Sequence, residues 1–357
     1  MVQTVNDRVN NSTFVGIDPL VEKKAVLALG GAIKLPEGFE LPFRVSRSTA
    51  GPGAGFYSMA IGFGGLRVKK SVSYETGEFQ LVVDGERLSL LHNGEPFLDE
   101  IEIQPVVRHC PGQAFFNLDP RCDNRCAFCS SPLLDKNDVK DMSPERILEM
   151  LEESMSMYRV DALSLTSGVV GGTQSTIDRF ISVIELIHSK YPDLRIGVEP
   201  YVDSREQIQS LKDAGADEIK LNLQCATPEI FSKICPDLDR DRILEMLRIS
   251  VEIFGKGNVI SNVIYGFGET DEDLRRTMVE LSEMGVIPGM RALRINSYNR
   301  ESLTAAIGHL EITRPERTIT VAEMQKEVMT EYGLDSRSSR TMCLECGCCD
   351  IVPFRDI

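Results

Sequence analysis

The sequence is short of positive charge and contains no long apolar run. Its 357 residues hold 39 Lys and Arg against 54 Asp and Glu, which gives a net charge of −15. Nucleic-acid affinity depends on clustered Lys and Arg, so this balance disfavours a DNA or RNA partner. No run approaches the roughly 18 apolar residues of a spanning helix, and the first seven residues lack the basic and apolar regions of a signal peptide. We therefore expect a cytoplasmic protein with neither a nucleic-acid nor a membrane partner.

Cysteine, in contrast, is plentiful, and three of the ten cysteines are closely spaced. Cys122, Cys126 and Cys129 follow a strand-like segment as C-x3-C-x2-C. Three thiolates within one short loop can hold three irons of a [4Fe–4S] cluster and leave the fourth iron without a protein ligand. The alternative is a structural zinc site, which usually needs four ligands, and His109 or Cys110 could supply the fourth. In a reducing compartment, both readings are more plausible than disulfides.

At these residues the chain resembles the radical S-adenosylmethionine (SAM) superfamily, which carries this triplet with an aromatic residue before the last cysteine. Phe128 occupies that position. The resemblance implies that Cys122, Cys126 and Cys129 ligate a [4Fe–4S] cluster, that SAM chelates the fourth iron, and that Phe128 packs near the adenine. It also implies reductive cleavage of SAM to a 5′-deoxyadenosyl radical, a reductant protein as partner, and an oxygen-poor environment.

Between residues 114 and 298, short apolar runs alternate with amphipathic helical stretches, a pattern typical of βα repetition. The predicted strands are 114–119, 162–166, 195–201, 218–224, 259–265 and 291–298. Helix starts are predicted at Ser143-Pro144, at a Ser204/Gln207 capping box and at Thr270. Six units of a barrel that takes about 250 residues for eight would fit this span. We expect an α/β fold with a partial (βα)6 TIM-like barrel; a doubly wound sheet has similar periodicity, and the family resemblance favours the barrel.

The flanking regions differ in composition from this core. Residues 1–113 are rich in Gly and Pro, without a sustained helical period, and predict a small β-rich domain built on segments 65–68 and 79–84. The glycine-rich stretch 49–55 could cradle an anion but lacks the end of a P-loop, so a tight turn is the alternative. Residues 299–357 predict one helix around 321–332 followed by a cysteine-rich tail.

In parallel barrels the functional residues lie at the carboxyl ends of the strands. The family resemblance implies SAM contacts from the second and fifth strand ends. Polar residues at the third and fourth suit hydrogen bonds to ribose or the methionyl group, and Arg294 at the sixth could neutralise the SAM carboxylate. The alternative is an ordinary turn at the second and fifth strand ends, a satisfied core polar group at the third and fourth, and an ion pair at the sixth. The candidate cofactor-binding residues are Thr166, Ser167, Gly168, Glu199, Asn222, Gln224, Gly266, Gly268 and Arg294.

The tail carries Cys343, Cys346, Cys348 and Cys349 as C-x2-C-x-C-C. Four thiolates so close together indicate a second metal site, for which zinc, a single iron and an auxiliary cluster are open. The adjacent Cys348 and Cys349 would strain one tetrahedral site, so a cysteine from elsewhere could replace one of the four. A redox tail without metal is the alternative.

The expected function is that of a radical SAM enzyme. The whole chain resembles radical SAM proteins of methanogenic archaea that C-methylate methyl-coenzyme M reductase, which implies a cobalamin-dependent methyltransferase acting on a protein or peptide, such as a glutamine side chain. The four histidines form no Asp-x-His-x-x-Gly motif, so cobalamin would bind without a histidine ligand. Segments 222–224 and 227–230 resemble the biotin synthase and lipoyl synthase side of the superfamily, so the alternatives are a small-molecule enzyme of cofactor synthesis and a non-enzymatic zinc scaffold.

Overall fold

A computed structural model describes residues 16–43, 46–48, 55–108, 112–133 and 142–357. The strands are β1 Ile33–Lys34, β2 Ser46–Arg47, β3 Tyr57–Phe63, β4 Leu66–Ser73, β5 Phe79–Asp84, β6 Arg87–His92, β7 Glu95–Leu98, β8 Glu102–Pro105, β9 Gln113–Asn117, β10 Ala162–Thr166, β11 Arg195–Glu199, β12 Glu218–Lys220, β13 Val259–Tyr265 and β14 Ile287–Ala292. The α-helices are α1 Pro19–Leu29, α2 Pro144–Met157, α3 Thr173–Lys190, α4 Arg205–Ala214, α5 Pro228–Ile234, α6 Arg240–Phe254, α7 Asp271–Glu283, α8 Arg300–Ile307, α9 Pro315–Glu331 and α10 Met342–Cys346.

The N-terminal strands form one mixed sheet of eight, in the order β2-β3-β4-β1-β5-β6-β7 with β8 also paired to β3. Its core contains Ile33, Ile61, Phe79 and Leu90. The β-rich N-terminal region is therefore confirmed. The glycine-rich residues 49–54, and the alternative zinc ligands His109 and Cys110, lie outside the described residues.

Helix α1 was not predicted, and its packing explains why. Its residues Val21 and Ala25 pack against α9 and Ile351 of the tail, whereas Leu27 packs against the N-terminal sheet. A helix buried on two sides has apolar residues around most of its circumference and lacks the one-sided period that marks an amphipathic helix.

The second sheet consists of six parallel strands in sequential order, from β9 to β14, joined by helices. This arrangement confirms the α/β fold with a partial, TIM-like barrel; within the described part of the chain neither sheet closes into a full barrel. Residues such as Leu163, Leu165 and Val198 form a core with Ile177 and Phe180 of α3. Because side chains alternate along a strand, the intervening residues face the opposite, inner side of the sheet.

Two predicted strands differ from the observed ones by more than two residues at one end. The sixth, predicted at 291–298, is β14 at Ile287–Ala292, because Pro288 and Gly289 resemble turn residues. Gly289 is required inside the strand, since a Cβ there would collide with the Asn262 Oδ1 atom on β13. The fourth, predicted at 218–224, ends at Lys220, and Gln224 rejoins the sheet through a single bridge to Val263.

The predicted helix starts are observed, with one difference in detail. Ser143 caps α2, and Thr270 forms a complete capping box with Asp273 at α7. At α4 the Ser204 hydroxyl accepts from the Gln207 amide, but the Gln207 side chain accepts from Asp203 rather than from Ser204. Only one of the two hydrogen bonds of the predicted capping box is therefore present, the one from the Gln207 amide to the Ser204 hydroxyl.

The C-terminal tail covers the inner face of the six-stranded sheet. The buried Glu218 carboxylate accepts hydrogen bonds from the Ser339 hydroxyl (2.8 Å), the Arg340 amide (2.7 Å) and the amide and hydroxyl of Thr341 (3.2 and 2.8 Å). Gly197 on β11 leaves room for this segment, because a Cβ there would collide with the Thr341 side chain. The tail thus lies over the first half of the strands, opposite the helices.

Candidate metal and cofactor site

The cysteine triplet lies in the loop that follows β9, at the carboxyl end of the parallel sheet. All three thiols are partly exposed. Backbone hydrogen bonds attach this loop to two neighbours: Asp123 N donates to Val169 O at 2.7 Å, and Ala127 N donates to Ile234 O at 2.8 Å. The triplet is therefore held where functional residues of parallel sheets are found.

A buried carboxylate at the end of β9 fixes the start of the loop. Asp119 accepts from the Arg121 amide (3.0 Å) and guanidinium (2.8 and 2.6 Å) and from Arg179 of α3 (3.0 Å). Burial favours the neutral acid, but the hydrogen bonds and charges of the two arginines outweigh it and hold the pKa of Asp119 below its usual value. Asp119 is thus an anionic clamp between the cysteine loop and α3.

Gly168, predicted to bind the SAM amino group, is in close contact with the cysteine loop. A Cβ at this position would collide with the Arg121 carbonyl oxygen and lie 3.0 Å from the Cys122 Cβ. Its amide donates to Asp119 O at 2.7 Å, and the next amide, of Val169, donates to Cys122 Sγ at 3.4 Å. Glycine is therefore needed here for packing of the loop, whether or not SAM contacts its backbone.

The pKa values of the three thiols of the triplet all lie above the usual cysteine value. Burial raises the pKa of Cys122 and of Cys129, and a hydrogen bond with Cys235 together with burial raises that of Cys126. Metal binding would therefore displace protons from these cysteines, as thiolate ligation requires. Three cysteine thiols in one partly buried loop form a donor set suited to iron–sulfur ligation.

An aromatic pair bridges the cysteine loop and the loop after β13. The ring of Phe128 lies 6.5 Å from that of Phe267, which stands between Gly266 and Gly268. Both glycines have a left-handed φ, 110° and 107°, which favours glycine. Glu269 accepts from the amides of Gly266 (2.7 Å) and Phe267 (3.0 Å) and so fixes the loop. Two glycines and two aromatic rings at this edge suit a flat ring such as adenine.

The polar candidates on the third and fourth strands form one network on the inner face. Asn222 Nδ2 donates to Glu199 Oε1 at 2.6 Å, and Lys220 forms an ion pair with Glu199 at 2.8 Å. Gln224 has a left-handed φ of 70° and contacts β13 through its main chain. Thr166 is buried at the end of β10, and the Ser167 hydroxyl donates to Gly168 O at 2.9 Å.

The side chain of Arg294 contacts the C-terminal tail, whereas its main-chain carbonyl accepts from the same Asn299 Nδ2 that donates to Phe128 O, both at 2.9 Å. Its guanidinium donates to Cys349 O at 2.7 Å, contacts Asp350 at 3.3 Å and donates to Ala292 O at 3.2 Å. The contact with Asp350 matches the ion-pair alternative. Because β14 ends at Ala292, Arg294 lies in the segment that follows the strand. A SAM contact for this residue stays a prediction.

The tail cysteines lie beside the inner face of the sheet, near several cations. Cys343 Sγ is 2.9 Å from Lys220 Nζ, and Cys346 and Cys348 pack against each other. Burial raises the pKa of Cys348 well above its usual value and that of Cys349 to about 11. Among the residues that the structure describes, no three Cys, His, Asp or Glu side chains converge on a point where a single ion could bind.

Comparison with known families identifies the domain that holds the triplet. The Radical SAM superfamily profile matches residues 116–281, which run from the last two residues of β9 through β13 and include all three cysteines. These residues form a radical SAM domain. The chain resembles biotin synthase of Sulfurimonas denitrificans, with 28% identity over 155 residues, covering 43% of this chain and 54% of that protein. It also resembles lipoyl synthase of Haemophilus influenzae, with 26% identity over 179 residues, covering 48% and 53%.

The chain thus spans about half the length of these curated relatives. Solved structures resemble it in fold alone. Methylornithine synthase gives a TM-score of 0.50 at 14% identity, covering 68% of this chain and 71% of that one. The FeFe-hydrogenase maturase HydG from Carboxydothermus hydrogenoformans gives a TM-score of 0.52 at 16% identity, covering 67% of this chain and 58% of that one. These two similarities agree with an α/β fold built on a parallel sheet.

Several residues around the site were not identified from the sequence. Asp119, Arg179 and Glu269 hold the loops, and Lys220 joins Glu199 to Cys343. Lys220 had a recognisable signal, because a lysine between Ile219 and Leu221 in a buried strand needs an anionic partner. The pairing of Asp119 with Arg179 could not be recognised, since Arg179 lies 60 positions further along the chain.

Proposed function

We propose that this protein is a radical SAM enzyme. The observation that carries the proposal is the location of Cys122, Cys126 and Cys129 within the radical SAM domain, in one loop at the carboxyl end of its sheet. A bound [4Fe–4S] cluster would supply the electron that cleaves SAM and so generates a 5′-deoxyadenosyl radical, which abstracts hydrogen from a substrate.

The chain's own residues have separate roles in this proposal. The three thiols release their protons and bind iron, while Asp119 and Arg179 keep the loop in place. Phe128 and Phe267 offer apolar surfaces to adenine, and Gly268, with open space where a Cβ would stand, lets a ring approach the main chain. At Gly266 that space is occupied by Thr313 and Leu293, so only its main chain is a candidate contact. Glu199 and Asn222 present hydrogen-bonding groups to the polar part of SAM. Thr166, Ser167 and Gln224 are further candidates beside them.

The test is anaerobic reconstitution of the full chain with iron and sulfide. The parent should be brown and should form 5′-deoxyadenosine from SAM with a strong reductant. Cys126→Ala should lose both properties, because a missing thiolate leaves two irons without protein ligands. Cys225→Ala is the matched control, since Cys225 is a buried thiol outside the triplet. Full cluster content in Cys126→Ala would refute the assignment, and a colourless zinc protein without SAM cleavage would favour the scaffold.

For the acceptor, we propose C-methylation of a glutamine in a peptide of methyl-coenzyme M reductase, with cobalamin as methyl carrier. The resemblance of the whole chain to radical SAM proteins of methanogenic archaea supports this. Of the three described histidines, His92 pairs with Glu78 in the N-terminal sheet and His188 packs against Gly215, whereas His309 is exposed after α8. The acidic chain suits a neutral or basic acceptor loop.

Mass spectrometry of such a peptide, incubated with enzyme, SAM and reduced cobalamin, distinguishes the acceptors. A mass gain of one methyl group that requires cobalamin supports the methyltransferase. Deoxyadenosine formation without corrinoid binding or methylation would favour the small-molecule alternative, which the similarity to biotin synthase and lipoyl synthase supports.

We also propose that the four tail cysteines hold a second metal. Four thiols lie within seven residues of the tail, and Cys343, Cys346 and Cys349 all interact electrostatically with Arg291. Replacing Cys343 and Cys346 by Ala should remove this metal and leave the cluster of the radical SAM domain, because the two sites draw their ligands from distant parts of the chain.

A further inference from the structure

Two side chains at the start of α8 donate hydrogen bonds to the main chain of the cysteine loop. Asn299 Nδ2 donates to Phe128 O at 2.9 Å, and the Ser302 hydroxyl donates to Ala127 O at 2.7 Å. Both donors lie beyond residue 281, where the match to the radical SAM profile ends. The cysteine loop is therefore held in part by a segment outside that domain.

The side chain of Asn299 serves this contact rather than its own helix. Asn299 is the N-cap residue of α8, where Asn usually accepts a hydrogen bond from an amide of the first turn, but its side chain makes no such bond. Its Nδ2 also donates to Arg294 O at 2.9 Å, and its Oδ1 accepts from the Asn296 amide at 2.9 Å. Two carbonyl oxygens on one side and an amide on the other fix the orientation of this buried group.

The two hydrogen bonds fix the peptide units on either side of the Phe128 Cα atom. The Ala127 carbonyl belongs to the peptide unit before Phe128, and the Phe128 carbonyl belongs to the unit after it. Because peptide units are planar, fixing both carbonyls fixes the two backbone dihedral angles of Phe128 and the direction of its side chain. The second unit also contains the Cys129 amide, which donates to Cys126 O at 3.0 Å. The bonds from α8 thus bear on the Phe128 ring and on Cys129 together.

Both polar main-chain groups of Ala127 are bonded, and the two bonds come from different parts of the chain. Its amide donates to Ile234 O at the end of α5, at 2.8 Å, and its carbonyl accepts from Ser302. Helix α5 lies within the radical SAM domain, so the loop keeps an attachment there when a bond from α8 is lost. Loss of one α8 side chain should therefore loosen the loop and leave the fold intact.

We propose that Asn299 and Ser302 are positioning residues, which hold the Phe128 ring and Cys129 in the arrangement that binds SAM and iron. This inference rests on the proposed function and extends it to residues outside the radical SAM domain. Both side chains act through the main chain of the cysteine loop. Their loss should weaken SAM binding and iron retention although every cysteine ligand is still present.

The first test uses Asn299→Asp in the full chain, reconstituted anaerobically with iron and sulfide. The variant keeps the shape of the side chain but places carboxylate oxygens opposite the two carbonyls that the amide group contacts. We expect KM for SAM in deoxyadenosine formation to rise about 2- to 10-fold with kcat close to the parent value, because a displaced aromatic ring weakens binding. A chelator should remove the iron about 10- to 100-fold faster, the loss typical of removing an outer partner of a metal ligand.

Ser302 supplies a conservative variant that should rescue the loop. Ser302→Ala should raise KM and the rate of iron release, whereas Ser302→Thr keeps a hydroxyl and should retain the parent values. Thr304→Ala is the matched control, since Thr304 is exposed on α8 and its hydroxyl donates to Arg300 O within the helix. Parent values of KM and of iron release in both Asn299→Asp and Ser302→Ala would overturn the inference.

Hydrogen exchange of the metal-free chain tests the same contacts without a cluster. Peptides that cover residues 122–133 should exchange faster in Asn299→Asp than in the parent, while peptides of the N-terminal sheet keep the parent rate, which separates a loosened loop from an unfolded chain. If Asn299→Asp does not fold, Ser302→Ala and Ser302→Thr remain informative.

The parent chain separates a failure of this inference from a failure of the proposed function. A parent that holds no cluster and cleaves no SAM would contradict the proposed function, and the exchange rates of the metal-free variants would still decide whether α8 holds the loop. SAM cleavage by the parent, with parent-like exchange and iron release in Asn299→Asp and Ser302→Ala, would contradict only this inference.

Discussion

At the scale of single residues, the buried side chain of Lys70 has an unusual pKa. Lys70 on β4 donates to Gly30 O at 2.5 Å and interacts electrostatically with Arg294. Burial, with a smaller contribution from Arg294, lowers the pKa of Lys70 to about 7. In the unfolded chain the pKa of Lys70 has its usual value of about 10.4. Lys70 therefore makes stability depend on pH.

The direction of this dependence follows from proton binding. Between about pH 7 and 10 the unfolded state binds a proton that the folded state lacks, so Lys70 makes stability rise with pH over this range. We expect Lys70→Met to unfold at higher denaturant than the parent near pH 7, by about 1–3 kcal/mol, with the difference shrinking towards pH 10. Urea melts from pH 6.5 to 10 measure this. Lys34→Met is the control, and an unchanged pH profile in Lys70→Met would contradict the assignment.

At the scale of elements, the inner face of the parallel sheet is filled by the tail, which Glu218 anchors through four hydrogen bonds. Tail residues Met342 and Val352 pack against Ile260 and Ile287 of the sheet. The tail therefore replaces solvent over the first half of the strands and places its cysteines beside Lys220.

Loss of the Glu218 charge should release this segment. In Glu218→Gln the side chain keeps one acceptor oxygen and gains a donor that faces other donors. We expect a loss of about 2–4 kcal/mol in unfolding free energy, because hydrogen bonds to a charged group are lost inside the protein. Hydrogen exchange of residues 335–357 should become faster than in the control Glu206→Gln, whose side chain is exposed on α4. Unchanged protection of the tail would show that apolar packing alone holds it.

At the scale of the whole molecule, the N-terminal region shares a core with the C-terminal segment that follows the radical SAM domain. Val21 and Ala25 of α1 pack with Ile319 and Ala322 of α9 and with Ile351 of the tail. The tail is therefore enclosed from both sides. Within the described residues, no helix has the length and apolar character needed to cross a membrane.

A charge placed in this shared core should separate the two parts. We expect Ala25→Asp to lower the unfolding free energy by about 3–5 kcal/mol, because the carboxylate would be buried without a dedicated partner. Calorimetry should then resolve two transitions, one for each part. Ala305→Asp is the matched control, since Ala305 is exposed on α8. A single transition at the parent temperature would mean that the α1 contact does not couple the two parts.

The amino-acid sequence by itself determined the alternating strand and helix order of the parallel sheet and the cysteine triplet. Local signals were sufficient for these: apolar runs for β10 and β13, caps at Ser143 and Thr270, and a spacing that brings three thiols into one loop. The sixth strand was predicted too late in the sequence because Pro288 and Gly289 resemble turn residues. In the structure, the neighbouring Asn262 side chain requires a glycine at position 289 within the strand.

Only the tertiary structure decided where the tail goes and which charges meet. The contacts of Lys220 with Cys343, of Glu218 with Thr341 and of Asp119 with Arg179 join residues 123, 123 and 60 positions apart. No local propensity encodes such pairs, because they depend on how the sheet and the tail pack. The sequence specified the cysteines; the fold placed the triplet at the carboxyl end of the strands and the tail cysteines among buried cations on the inner face, because burying charge there requires a partner.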